Sequence, residues 1–210
     1  MTGLVLKDYY ILLHLYKKSL LLLALFFGVM SFTMQSDFML LYLVLMMSFY
    51  TLGSITLDVN CHWDRYARTL PVRPSAIVSG KYLISLLFIL VAAAYAVILG
   101  AARRLFMEGG DPGFWVSLLV IIAVSLVVAA LMIPASFKWG VDKARNFLMV
   151  FFLGFFFLIM LFKNQPIVVD TLELLSSSMN LWLPWLLGAS ILIYAVSCWF
   201  CCRLYSRQEY

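Results

Sequence analysis

The residue types that most often carry catalysis or bind metal ions are few in this sequence, and they are dispersed. It contains two histidines, His14 and His62, and four cysteines, of which Cys198, Cys201 and Cys202 lie close together. No HExxH motif occurs, and no Cys/His cluster has the spacing of a zinc site. The sequence therefore predicts no catalytic site, no metal site and no bound cofactor in this chain.

The composition of the chain explains why residues that could carry catalysis or bind metal ions are so few. Of the 210 residues, 65% are hydrophobic and 12% are charged, whereas a soluble domain is about 45–50% apolar and about 25% charged. The polar residues are too few to cover a surface that faces water. Disorder is excluded by the low charge and by the 16% of aromatic residues. The sequence predicts an all-α integral membrane protein.

Six runs without Asp, Glu, Lys, Arg or His divide the chain, and each has 17 to 29 residues. About 20 apolar residues in a helix cross a hydrocarbon core of roughly 30 Å. We therefore expect six membrane spans, covering about residues 19–36, 38–57, 82–102, 113–135, 146–162 and 181–202. An ion-coupled carrier would need ionisable groups within such spans, so it is the least favoured function for this chain.

The basic residues predict the orientation of these spans. If the N-terminus is cytoplasmic, the segments on its side carry 12 of the 15 Lys and Arg residues, while the acidic residues divide evenly. Such an excess marks the cytoplasmic side, so both termini are expected there and residues 163–180 are expected to form an extracellular loop. The isoelectric point near 9.1 follows from this topology, and no nucleic-acid partner is predicted.

Residues 1–18 are expected to form a separate amphipathic helix that lies in the cytoplasmic interface before the first span. A signal peptide is the alternative, but no small-residue cleavage site follows the apolar run. Spacings of three and four group the residues by face. The polar face would carry Lys7, Tyr10, His14, Lys17 and Lys18. The opposite face would carry Leu6, Tyr9, Leu13 and Tyr16.

A nucleotide site is missing from the sequence as well. The single Gly-Lys pair, Gly80-Lys81, is followed by Tyr82, and no GxxxxGK[ST] pattern occurs. The longest cytoplasmic segment, residues 58–81, is too short for a soluble ATPase domain. If the protein performs work, we expect a partner to supply the energy.

The 58–81 segment has the densest mixture of aromatic and charged residues. Asp58 or Asn60 would cap a short helix that ends before Pro71, and Pro74 suits the first turn of the next helix. This short helix would bear Trp63, Asp64, Arg65, Tyr66 and Arg68. It is either a solvated connector with interfacial aromatics or a docking surface. The second cytoplasmic loop, residues 136–145, is short and basic, like an anchor of the positive-inside kind.

Two sequence stretches resemble a known family: WDRYARTLPVR…IV-GKY in the 58–81 segment and FKWG-DKAR in the 136–145 loop. Together with the six spans, they are similar to the permease subunits of ABC-2-type exporters. The likeness covers essentially the whole chain. It is greatest to a small six-span branch that includes the membrane subunits of bacterial phenol-soluble-modulin exporters.

The resemblance implies a bacterial plasma-membrane protein that works with a second permease copy or a paralogue. It also implies a separate ATPase subunit, which binds ATP and Mg²⁺ and receives the 58–81 segment as a coupling helix. The implied docking residues in that segment are Trp63, Asp64, Arg65, Tyr66 and Arg68. Those shaping its return are Pro71, Arg73, Lys81 and Tyr82. The implied second contact comprises Lys138, Trp139, Gly140, Lys143 and Arg145.

The fifth span is rich in phenylalanine, and four of these residues follow helical spacing on one side: Phe147, Phe151, Phe155 and Phe162. A stripe that faces lipid or packs on a neighbour is the simplest interpretation. The alternative is a pathway wall for apolar or amphipathic cargo, which the resemblance identifies as peptides, with lipids or hydrophobic antibiotics still open.

The sequence thus predicts the permease subunit of an ATP-driven exporter of amphipathic or hydrophobic peptides, or similar apolar cargo. The alternative is a membrane interaction or immunity protein that does not transport. A stoichiometric ATPase partner would distinguish the first function from the second.

Overall fold

The computed structural model describes residues 2–34, 38–63, 67, 74–106, 113–162 and 179–207. Within these ranges the chain is helical and contains no strand, which confirms the all-α fold. The helices, in chain order, are α1 (Thr2–Thr33), α2 (Phe38–Asn60), α3 (Pro74–Phe106), α4 (Phe114–Trp139), α5 (Val141–Phe162) and α6 (Met179–Arg207).

Five of these helices are long and apolar enough to cross a membrane. The qualifying stretches are Gly3–Thr33, Phe38–Asn60, Ser75–Leu105, Phe114–Trp139 and Trp182–Ser206. A helix bonds its own backbone polar groups internally, which hydrocarbon requires, so the chain is a multi-pass membrane protein. The expected span at 146–162 lies within α5, and its crossing of the membrane stays a prediction, as does the orientation of the termini.

Helices α2, α3 and α4 form the centre of the bundle, and α1, α5 and α6 lie outside them. Over the most apolar 18 residues of each helix, 50% of the residues in α2 and in α4 are buried, compared with 17% in α1 and 11% in α6. Helix α6 packs mainly on α4, and α5 also packs mainly on α4. Exposed apolar side chains such as Leu22, Val150 and Trp185 suit lipid, which is as apolar as they are.

Helix α1 is one continuous helix, whereas the sequence predicted an interfacial helix followed by a separate first span. It runs without a break through the predicted boundary between residues 18 and 19. The stretch contains no proline, and its glycines lie near its two ends, at Gly3 and Gly28, so no residue terminates the helix at that boundary. The interfacial location of residues 1–18 stays a prediction.

The faces of α1 agree with the predicted pattern only in part. Four residues of the predicted polar face are exposed: Tyr10, His14, Lys17 and Lys18. The buried face, however, includes Asp8 and Leu12, whereas Leu6, placed by the sequence on the packing face, is exposed. The packing face is therefore rotated from the predicted one, and it buries a carboxylate.

The expected loop at residues 136–145 is helical on both sides of one residue, Gly140. This glycine has φ 85° and ψ 157°, a region that essentially only glycine adopts. Its N–H donates to the Ser136 carbonyl at 3.0 Å, and its own carbonyl accepts from the Ala144 N–H at 3.0 Å. Helices α4 and α5 thus meet at a one-residue corner.

The 58–81 segment also differs from expectation at its start. Helix α2 continues to Asn60, so Asp58 lies in its last turn and does not cap the following helix. His62 then has a φ of 50°, the left-handed conformation that commonly ends a helix. Helix α3 begins at Pro74 as predicted. Residues 64–66 and 68–73 lie outside the described part of the chain.

Candidate functional site

Four charged side chains form one network where α1, α2 and α3 meet: Lys7 and Asp8 of α1, Asp58 of α2, and Lys81 of α3. Each lysine contacts both carboxylates. Lys7 Nζ lies 3.2 Å from Asp8 Oδ1 and 2.9 Å from Asp58 Oδ1. Lys81 Nζ lies 2.8 Å from Asp8 Oδ2 and also pairs with Asp58 Oδ2. We call these four residues the charge network.

The charge network is largely withdrawn from solvent. The side chains of Lys81, Asp8, Asp58 and Lys7 are 3%, 5%, 13% and 23% exposed. Buried charges require paired partners, and here two positive and two negative groups cancel. Lys81 Nζ also donates a 2.6 Å hydrogen bond to Ser54 Oγ. Among the described residues Asp8 Oδ1 has no hydrogen-bond donor, so its contact with Lys7 is an ion pair alone.

The charge network holds both ends of the 58–81 segment. Asp58 and Lys81 are the first and last residues of that segment, and both pair with side chains of α1. The ammonium of Lys7 also lies 3.9 Å from the centroid of the Trp63 ring, a cation–π distance. The residues at both ends of the segment are therefore tied to α1 by charges that are costly to separate in a low dielectric.

Reasoning from the sequence missed Asp8, although one signal was present. Asp8 lies three residues after Val5 and four before Leu12, two residues that pack in the core. Residues at these spacings share one helical face. A carboxylate in the middle of an apolar face is costly without a basic partner from another element. That partner, Lys81, lies far along the chain, so local pattern could not identify it.

A second polar cluster lies beside the first and uses the next residue along α3. The Tyr82 hydroxyl lies 2.8 Å from Ser197 Oγ, which in turn donates to the Ala130 carbonyl at 2.5 Å. The Tyr194 hydroxyl donates to the Tyr82 carbonyl at 2.6 Å. This tyrosine cluster (Tyr82, Tyr194, Ser197) joins α3, α4 and α6. Lys81 and Tyr82 are consecutive, yet Lys81 contacts α1 and α2 whereas Tyr82 contacts α6.

A third feature is an apolar groove of about 400 Å³ between α4, α5 and α6, which we call the lateral groove. It brings together Lys138 and Trp139 from the end of α4 with Phe147 and Phe151 from α5. The Trp139 and Phe147 rings lie 5.9 Å apart. Both phenylalanine side chains are more than half exposed, so this part of the predicted stripe faces away from the bundle centre.

The sequence matches the family model of the ABC-2 family transporter proteins over residues 3–206, which is nearly the whole chain. The chain belongs to the ABC-2 transporter family. Its members are membrane components of ABC transporters and normally work with an ABC ATPase. The resemblance seen in the sequence is confirmed at this level, and the small six-span branch stays a prediction. No curated protein and no solved structure matches the chain.

In this ABC-2 transporter protein, only part of the implied first docking surface is described. Trp63 is partly buried beside Lys7, and Lys81 and Tyr82 are both buried, so these three contact neighbouring helices. The other implied residues lie outside the described part of the chain: Asp64, Arg65, Tyr66, Arg68, Pro71 and Arg73.

The implied second contact divides into two parts. Lys143 and Arg145 are exposed in the first turns of α5, and Arg145 lies 3.6 Å from Asp142 in a surface pair. Such pairs contribute little to stability. Lys138 and Trp139 are also exposed, but they line the lateral groove. The side chains of Phe155 and Phe162, the remaining residues of the predicted stripe, lie outside the described ones.

Proposed function

We propose that this ABC-2 transporter protein is the permease subunit of an ATP-driven exporter, powered by a separate ATPase subunit that docks on the 58–81 segment. The observation that carries the proposal is the match to the ABC-2 family over residues 3–206, whose members normally work with an ABC ATPase. The charge network, which ties both ends of that segment to α1, supports the docking location. ATP and Mg²⁺ would bind to the ATPase. A second permease copy or a paralogue would complete the pathway.

The energy scale of the charge network supports a coupling role. Removing one partner of a buried ion pair costs about 3–5 kcal/mol. Moving a two-state equilibrium from 1:99 to 99:1 needs about 5.5 kcal/mol. Separating these charges would thus oppose any movement that parts α1 from the ends of the segment, and four ion pairs make the contact. When the ATPases close, the segment and the ends of α1, α2 and α3 would move together.

The cargo we propose is an amphipathic or hydrophobic peptide or a similar apolar molecule. The six predicted spans contain no Asp, Glu, Lys, Arg or His, so they offer no fixed charge to a polar or ionic cargo. The groove surfaces between α4, α5 and α6 are likewise mostly apolar, with Phe151 and Phe152 among their lining residues and Lys138 at one end. Export of such cargo requires no ion-binding site in the permease.

The docking proposal is tested by purifying the tagged chain from native membranes and quantifying the ATPase that accompanies it. We expect a stoichiometric ABC ATPase with the wild type, and a clear loss of it with the double variant Trp63→Ala, Arg65→Ala. The matched control is Tyr10→Ala, an exposed aromatic on α1, which should retain the ATPase.

Two results would contradict the proposal. A double variant that keeps its full complement of ATPase and couples hydrolysis to transport would remove the docking assignment. A wild-type chain that purifies intact without any ATPase would favour a membrane interaction or immunity protein that does not transport.

A further inference from the structure

The lateral groove has one cationic group in an otherwise apolar lining. The Lys138 ammonium lies 5.4 Å from the centroid of the Trp139 ring, and Lys138 lines the groove. Among the described residues, no carboxylate lies within ion-pair distance of Lys138, and the nearest acid in sequence, Asp142, pairs with Arg145. The groove thus presents one positive charge that no described acid neutralises.

The apolar part of the groove is long. A second apolar cavity of about 380 Å³ shares Leu131 and Phe151 with the lateral groove and continues along α4 to Val124. From Lys138 to Val124 the helix rises about 21 Å. Half of a hydrocarbon core is roughly 15 Å. The continuous apolar surface is therefore long enough for an acyl chain from one leaflet.

The groove opens on the outside of the bundle, at the end of α4 where Lys and Trp side chains meet. Leu131, Phe147, Phe151 and Phe200 line it, and all four are more than half exposed. Tryptophan and lysine are enriched at the level of the lipid head groups. Basic pockets between membrane helices bind anionic head groups on the cytoplasmic side, which is the side predicted for residues 136–145.

We propose that the lateral groove is a binding site for an anionic membrane phospholipid, with its phosphate at Lys138 and an acyl chain along Phe147 and Phe151. A single cation above a long apolar surface matches the single phosphate and long tails of such a lipid. This site makes the lipid-facing interpretation of the phenylalanine stripe specific, because it names the kind of lipid that Phe147 and Phe151 would contact. It does not depend on an ATPase partner, so it stands or falls separately from the proposed function.

The test uses the purified full chain and native mass spectrometry in titrations with phosphatidylglycerol or phosphatidylcholine. The wild type should bind one phosphatidylglycerol more tightly than phosphatidylcholine. One lysine near an anionic lipid is worth about fivefold in affinity. Lys138→Gln should therefore lower the affinity for phosphatidylglycerol about fivefold and lower that for phosphatidylcholine by less, because the choline cation offsets the phosphate charge. Lys143→Gln, an exposed lysine that does not line the groove, should change neither.

A second variant tests the apolar part of the site. Leu131→Trp adds bulk at an exposed position shared by both cavities, so it should reduce the binding of both lipids while the helical content stays that of the wild type. Three results would each overturn the proposal. They are equal binding of the two lipids by the wild type, unchanged phosphatidylglycerol binding by Lys138→Gln, and a lipid-free dimer whose contact buries Phe147 and Phe151.

Discussion

At the 58–81 segment, four charged side chains tie both ends of the segment to α1. At the α4–α5 corner, by contrast, one glycine joins two helices, and the charged residues beside it are exposed. Both places contain tryptophan and several basic residues, and the family resemblance gives both the same role. They differ in their neighbours. Lys81 meets the carboxylates of Asp8 and Asp58, while Lys143 remains exposed.

This difference shows what a buried opposite charge does for a connector. Exposed ion pairs contribute about 0–1 kcal/mol, and loss of one partner from a buried pair costs about 3–5 kcal/mol. The 58–81 segment is therefore fixed at its ends, and the α4–α5 corner depends on backbone conformation. Substitutions at the two places should have effects of different size and different cause.

The largest effect is expected for Lys81→Met. The remaining network would hold two carboxylates against Lys7 alone, with Asp8 almost fully buried. We expect the free energy of unfolding to fall by about 3–5 kcal/mol, measured by denaturant unfolding of the purified protein in detergent. Lys143→Met, at an exposed lysine, is the matched control and should unfold like the wild type.

A double variant separates charge balance from packing at the same position. Asp8→Asn combined with Lys81→Met leaves one lysine and one carboxylate, Lys7 and Asp58, which lie 2.9 Å apart. Removing both partners of a buried pair costs less than removing one, so the double variant should be more stable than Lys81→Met. If the two are equally unstable, the loss comes from packing, and the network does not act through its charges.

An intermediate effect is expected for Gly140→Ala at the α4–α5 corner. Because the φ of Gly140 is 85°, a side chain there is strained, and we expect a loss of about 1–3 kcal/mol in the free energy of unfolding. The control is Gly154→Ala within α5, where an added Cβ meets nothing within 4 Å. That change should be neutral or should stabilise by up to about 1 kcal/mol. Equal effects at the two glycines would show that the corner conformation is not required.

The smallest effect is expected for Tyr82→Phe, next to Lys81. The variant removes the hydroxyl that bonds Ser197 but keeps the ring, and hydrogen bonds between membrane helices average about 0.6 kcal/mol. Tyr10→Phe, at an exposed ring, should have no effect on unfolding. A loss at Tyr82 as large as that of Lys81→Met would mean that neutral polar contacts hold these helices as strongly as charges do.

The sequence predicted the all-α fold because a charge-free apolar run is a local property. Pro74 likewise predicted the start of α3, since proline suits a first turn. The continuity of α1 was missed because no residue marks a boundary at position 18, and the interfacial helix was inferred from polarity alone. The charge network could not be predicted, because Lys7 and Asp58 are 51 residues apart and their pairing depends on how α1 packs on α2.

The corner at Gly140 shows a similar limit. The stretch from Ser136 to Arg145 reads as a basic loop by composition, yet its residues are compatible with helix on both sides of the glycine. Only the backbone conformation distinguishes a loop from two helices that meet at one residue. The lateral groove follows from that corner, because it sets α5 beside α4 and brings Phe147 next to Trp139.

The most direct test places a photo-crosslinking amino acid, p-benzoylphenylalanine, at position 68 in the chain expressed in its native cells. Mass spectrometry then identifies the crosslinked protein, with position 170 in the predicted extracellular loop as the control. An ATPase anchored at the 58–81 segment predicts an ABC ATPase crosslinked from position 68 and none from position 170. Capture of the ATPase from position 170, or its absence from position 68 while it co-purifies with the chain, would contradict this arrangement.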